Sequence, residues 1–167
     1  MRHKLAVQCM LWTITILVAV GFATPQQSLA QDSQACNNRL IRGTYGFTVE
    51  GQKLAGPGPV GVQVGVALAT YDGRGEFTQI DTVTINGAVV SDFTHSPATG
   101  TYTVNSDCTG TFTINFTDGR PPVVANFVVV EDGAEIDTVV ISAGGNQGIL
   151  STSSVGKRRF LKDFPHR

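Results

Sequence analysis

The chain has 167 residues, of which 41% are hydrophobic and 15% charged, with 12 basic residues, 13 acidic residues and three cysteines. That is apolar material for one domain around one core. Residues 31–156 carry 5 basic and 12 acidic residues, a net of −7, so the body of the chain repels a polyphosphate and no nucleic-acid partner is expected.

The first 30 residues are laid out as a secretory signal. Arg2 and Lys4 make a basic head, Leu11 to Ala23 is an uncharged, mostly apolar run of 13, and Ser28 and Ala30 stand at the −3 and −1 positions of a cut after Ala30. A membrane span takes roughly 20 apolar residues, so the run is short for one, and an uncleaved anchor is the alternative. The expected organisation is a signal peptide at 1–30, a β-domain at 36–155 and a basic tail at 156–167, in a protein secreted to the periplasm or beyond. The tail sets Lys157, Arg158, Arg159, Lys162 and Arg167 against Asp163, a net of +4. It reads as a solvated terminus or as a contact for an anionic surface.

Cleavage there leaves two cysteines, Cys36 and Cys108. An isolated pair in an exported chain reads as one disulfide. Closing a loop of about 70 residues is worth roughly 4–5 kcal/mol in the chain-entropy account. The pair then clamps a hairpin turn to the segment entering the first strand. Metal ligation is the weaker reading, because His95 and His166 are the histidines left and no CxxC or HxxxH spacing occurs.

From there the chain is a series of short alternating runs punctuated by Gly, Asn, Asp and Pro. Thr44–Val49 puts Tyr45, Phe47 and Val49 on one face. A Gly- and Pro-rich connection, Gly51 to Gly61, is expected to lie across a barrel mouth. Val62–Tyr71 has Val62, Val64, Val66 and Leu68 in phase. Glu76–Ile85 has Phe77, Val83 and Ile85 in phase, and Asn86-Gly87 is the strongest hairpin signal in the chain. Ala88–Thr94, Thr101–Val104, Thr109–Phe116, Val123–Val130 and Glu135–Ser142 follow, with a weak ninth run at Gly148–Ser153. Asp72, Asp92, Asp118 and Asp132 sit in the intervening bends as turn formers. Successive short hairpins predict an all-β, eight-stranded (nine with the weak run) antiparallel up-and-down barrel, since closure removes the sheet edges. A β-sandwich is the alternative.

The wording of three segments adds to the pattern. "CNNRLIRGTYGFTVEG", "GPGPVGVQVGVALATYDGRGEFTQIDTVTINGAVV" and "GTYTVNSDCTGTFTINFTDG" resemble a set of small exported bacterial proteins of the allene oxide cyclase barrel-like group. That group is related in fold to plant allene oxide cyclases and dirigent proteins. The resemblance covers residues 36–155 and implies an eight-stranded barrel with a mostly apolar interior. Trimers are implied by analogy. Catalytic residues of the plant enzymes do not map onto positions here, and fold alone does not license function.

Chemistry-bearing motifs are sparse. There is no G-x-S-x-G, HExxH or Walker loop, and no metal or cofactor is expected. His95, beside Ser96-Pro97, reads as a turn histidine before it reads as an acid or base. Asp81 is the candidate catalytic residue. Counting by twos from Phe77 places Gln79 and Asp81 on the face shared with Val83 and Ile85. A carboxylate facing such an interior would be desolvated, which suits a general acid in an isomerisation. A bulge turning it outward, or a position in water at the barrel end, is the structural alternative. Tyr45, Phe47, Tyr102, Phe112 and Phe127, with Gln79 and Asp81, are the candidate lining of an apolar pocket; the rings equally suit a barrel that is simply filled. Three functions follow: a binder of a small apolar molecule or non-catalytic extracellular module, a cofactor-free isomerase or cyclase on a lipid-like or phenolic substrate, and a surface or matrix component assembling through its barrel faces.

Overall fold

Nine antiparallel strands make up the described part of the computed structural model, which covers residues 35–94, 97–143 and 148–159. They are β1 (Gly43–Ala55), β2 (Gly61–Tyr71), β3 (Glu76–Ile85), β4 (Ala88–Ser91), β5 (Ala98–Val104), β6 (Thr109–Phe116), β7 (Val123–Val130), β8 (Glu135–Ala143) and β9 (Ile149–Arg158). The signal-like residues 1–30 and His95 lie outside the described residues, as do 160–167 of the tail.

Each strand pairs with its sequence neighbour except where β4 leaves the ring. The order runs β2–β1–β9–β8–β7–β6–β5–β3, and the pairing of β2 with β3 closes it. The barrel expectation holds, with eight strands in the ring and β4 attached outside it to the end of β3. The cause is a division of β3. Its residues Glu76–Gln79 pair with β5, whereas Val83–Ile85 pair with β4, so Ile80–Thr82 mark a fork in the wall.

Several boundaries differ from the sequence reading for local reasons. The Gly51–Gly61 connection is mostly strand: β1 continues through Lys53 opposite Gly61, leaving 56–60 irregular. Ala88–Thr94 stops as a strand at Ser91, because the Asp92 carboxylate accepts from the Thr94 amide (2.9 Å) and bends the chain. β9 passes the expected boundary at 155. Lys157 pairs with Glu135 (3.2 Å) and Arg158 reaches the Tyr45 hydroxyl, so both belong to the wall rather than to a tail. The β2–β3 turn follows expectation. The Asp72 carboxylate accepts from the amides of Arg74 (2.7 Å), Glu76 (3.0 Å) and Gly75 (3.0 Å), which holds its carboxyl below the ordinary carboxylate range.

The up-and-down winding gives the barrel two unlike ends. At one end a 3-10 turn, Asn38–Ile41, seats Ile41 among the strand termini with no exposed surface. Cys36 and Cys108 are joined beside it, their Cα atoms 5.0 Å apart, clamping the β5–β6 turn to the segment entering β1. Cys36 N donates to Ser106 O (3.3 Å) and Val129 N to Cys108 O (2.8 Å), so the clamp is also hydrogen-bonded into the wall. Arg158 completes this end. Its guanidinium donates to the Tyr45 hydroxyl from Nε (2.9 Å) and Nη2 (2.7 Å) and to the Leu40 carbonyl, while Tyr45 donates to the Gly133 carbonyl.

Behind that cap the interior is filled by rings. Tyr71 meets Tyr45 edge-on at 5.6 Å and Tyr102 edge-on at 5.1 Å, and it stacks on Phe77 at 5.1 Å. Phe77 then meets Phe112 at 5.9 Å, and Phe112 stacks on Phe127 at 5.9 Å. Such contacts add modestly to the area each ring buries. Three of the phenyls lie over a glycine directly across the ladder: Phe47 over Gly156, Phe77 over Gly100, Phe127 over Gly110. A Cβ on any of these glycines would overlap the ring.

Candidate functional site

The rings stop partway along the barrel, and beyond them is a cavity of about 470 Å³. It lies toward the end where β1 finishes and β2 starts, under the loops 56–60 and 117–122. Its walls are mainly apolar: Phe47 and Val49 from β1, Val83 and Ile85 from β3, Phe112 and Ile114 from β6, Val123 and Ala125 from β7, Val140 from β8 and Leu150 from β9. At the mouth Arg120 pairs with Asp118 (2.7 Å) and covers the Phe116 ring at 4.0 Å.

The expected lining residues divide between the two halves of the barrel. Phe47, Gln79, Asp81 and Phe112 line the cavity. Tyr45, Tyr102 and Phe127 do not; they belong to the ring cluster of the filled half. Tyr102 is held there by its hydroxyl, which accepts from Gly73 N (2.9 Å) and donates to Asn38 O (3.2 Å). Burial raises its pKa to about 12, and burial likewise pushes Tyr71 up. Burial also raises Tyr45, with the Arg158 guanidinium opposing the shift. Rings thus pack one end of the barrel, and the cavity lies toward the other.

Asp81 sits at the fork in β3 and is buried, facing the cavity as the count by twos indicated. Its carboxylate accepts from Ser91 Oγ and, at 3.2 Å, from Gln79 Nε2. Ser91 reaches it because β4 leaves the wall at this point, with a register shift at Val83/Thr84 bringing Ser91 opposite Val83. A carboxylate held by a hydroxyl and an amide at the edge of an apolar chamber can orient a bound polar group or exchange a proton with it.

Further polar groups enter the cavity that the sequence reading did not single out: Lys53, Gln63, Ser91, Thr138 and Thr152. Thr138 and Ser154 bond each other across the β8–β9 ladder (2.6 Å). The signal for Lys53 and Gln63 was present. Extending the alternation of Tyr45, Phe47 and Val49 through Gly51 reaches Lys53, and counting back from Tyr71 reaches Gln63. The reading of Gly51–Gly61 as irregular hid the first. The apolar run Val62–Leu68, on the opposite face of β2, masks the second.

These features define a closed antiparallel β-barrel, clamped and packed with rings at one end and hollow at the other. Compared with protein-family models, curated proteins and solved structures, the chain matches none of them. Among the described residues no helix is long and apolar enough to cross a membrane, and no cluster of three metal-ligating side chains occurs.

Proposed function

We propose that the hollow end binds a small, largely apolar molecule, and that the chain acts outside the cytoplasm as a ligand-binding barrel of the allene oxide cyclase-like type. One observation carries this reading. A sequence able to pack one end of its barrel with seven rings linked in series leaves about 470 Å³ open toward the other, inside the size range of small-molecule sites. The chamber's apolar walls and few inward polar groups are the composition such sites share. The Cys36–Cys108 link suits an oxidising compartment, which supports export.

A second reading is a cofactor-free isomerase or cyclase, favoured by the placement of Asp81 in the chamber wall. One experiment addresses both. Native mass spectrometry of the purified protein is expected to show a co-purified small molecule or one-to-one uptake of a neutral probe, N-phenyl-1-naphthylamine. Val83→Trp, which projects an indole into the chamber, is expected to cut probe uptake about tenfold or more at an unchanged melting temperature. A folded barrel that takes up no apolar probe overturns the binding reading. Recovery of the bound molecule chemically altered selects the enzyme.

A further inference from the structure

The cavity has two polar poles, and they differ in one respect. At Asp81 the carboxylate is served by donors of the protein itself, Ser91 and Gln79. The other pole spans three adjacent strands. Gly51 of β1 lies opposite Gln63 of β2 on one side and Thr152 of β9 on the other, and Lys53 follows two residues along on the same face. All three side chains line the cavity and are buried, Lys53 at 9%, Gln63 at 8% and Thr152 at 6% exposure.

This second pole has donors without an acceptor of matching charge. The Lys53 ammonium donates to the Pro57 carbonyl, and a Cβ on Gly58 would stand 3.7 Å from it, so the 56–60 loop folds over the nitrogen. Among the described residues the ion pairs are Arg120–Asp118 and Lys157–Glu135, and Lys53 is in neither. Thr152 Oγ1 is buried with no hydrogen-bond partner among the described residues. A buried cation without a counter-ion and a buried hydroxyl without a partner are each costly, and both costs fall when an anionic oxygen arrives between them. Gly51 leaves the floor between Gln63 and Thr152 bare, because a Cβ there would overlap the Thr152 backbone and crowd its hydroxyl.

We propose that the molecule taken up is an organic monoanion, an apolar body ending in a carboxylate, with that head group on Lys53, Gln63 and Thr152 and its body along the Phe47–Phe112 wall. This rests on the reading of the cavity as a ligand site. Charge-assisted hydrogen bonds in a dry site are the strong ones, so the head group is where selectivity among apolar molecules arises.

Displacement of N-phenyl-1-naphthylamine by decanoate, 1-decanol and decylamine tests it on the intact protein. Decanoate is expected to bind about tenfold or more tighter than decanol, and decylamine weakest. Lys53→Met is expected to abolish the preference while leaving decanol affinity unchanged. Thr152→Val is expected to weaken decanoate about threefold and decanol not at all, which serves if Lys53→Met does not fold. Equal binding of decanoate and decanol, tighter decylamine, or a preference that survives both substitutions overturns the head-group assignment while the apolar site stands. If the probe and all three ligands fail to bind the folded protein, the ligand site itself falls, and this assignment with it.

Discussion

Glycine at the three positions under Phe47, Phe77 and Phe127 is a packing requirement. Gly110 is confined on two sides, as Gly100 is: a Cβ at Gly110 would meet both the Phe127 ring and the Thr103 carbonyl. Neither obstacle yields cheaply, since one is backbone and the other is wedged between Phe112 and the wall. Gly110→Ala is therefore expected to lower unfolding free energy by about 1–3 kcal/mol, the range for overpacked cores. Gly46 is the control: a Cβ there meets nothing within 4 Å, so Gly46→Ala should be neutral or slightly stabilising in the same denaturant titration. Equal effects of the two substitutions would remove the steric account. At this scale the sequence was partly legible. Alternation showed which residues share a face, but not which face is inner. Val62, Val64 and Val66 share a face of β2, and it is the outer one, with all three exposed. The inner face carries Gln63, Ala67, Ala69 and Tyr71, because β2 runs between the large rings of β1 and β3 and small residues must fit between them.

Among the elements, the segment from Cys36 to Ile41 is short and carries the clamp. It holds no strand, yet it seals the filled end through Ile41, the Asn38 contacts to Val104 N (2.7 Å) and Tyr102, and the link to Cys108. Cys108 has a φ of 67°, the left-handed region, in a turn where Asn105 O accepts its amide (3.1 Å). The turn geometry thereby aims the sulfur toward the 36–41 segment instead of along the strand. The two cysteines are 72 residues apart in sequence, so the cross-link restricts the unfolded chain by roughly 4–5 kcal/mol in the loop-closure account. Replacing both by serine, or melting under reductant, is expected to lower the melting temperature on the order of 10 °C or more, with loss of amide protection first at residues 36–42 and 105–109. An unchanged melting temperature would assign the clamp no role in stability.

Across the whole molecule the division into a filled and a hollow half has a pH signature. The chain's three tyrosines all lie in the filled half, and burial raises the pKa of each above the ordinary value of 10. A group whose folded pKa is raised stabilises the fold fully below the unfolded value and ceases to do so as pH climbs through the folded one. Stability is thus expected to hold up to about pH 10 and to fall as pH rises from there toward about 12, the value for Tyr102. Tyrosinate absorbance should appear in one cooperative step together with loss of the near-ultraviolet circular dichroism signal. A gradual titration near pH 10 with the fold intact would show that the rings are reached by solvent.

Strand number, the hairpin rhythm, the cysteine pair and the face that Asp81 shares with Phe77, Val83 and Ile85 were decided by the sequence alone, because each depends on near neighbours: alternation, turn residues and residue counts. The fork in β3, the join of β2 to β3, the seat of Arg158 on Tyr45 and the convergence of Lys53, Gln63 and Thr152 were decided only by the tertiary structure. These depend on closure. Whether a ring of strands is solid or hollow is set by how side chains from all its members share one volume, and no single strand carries that sum.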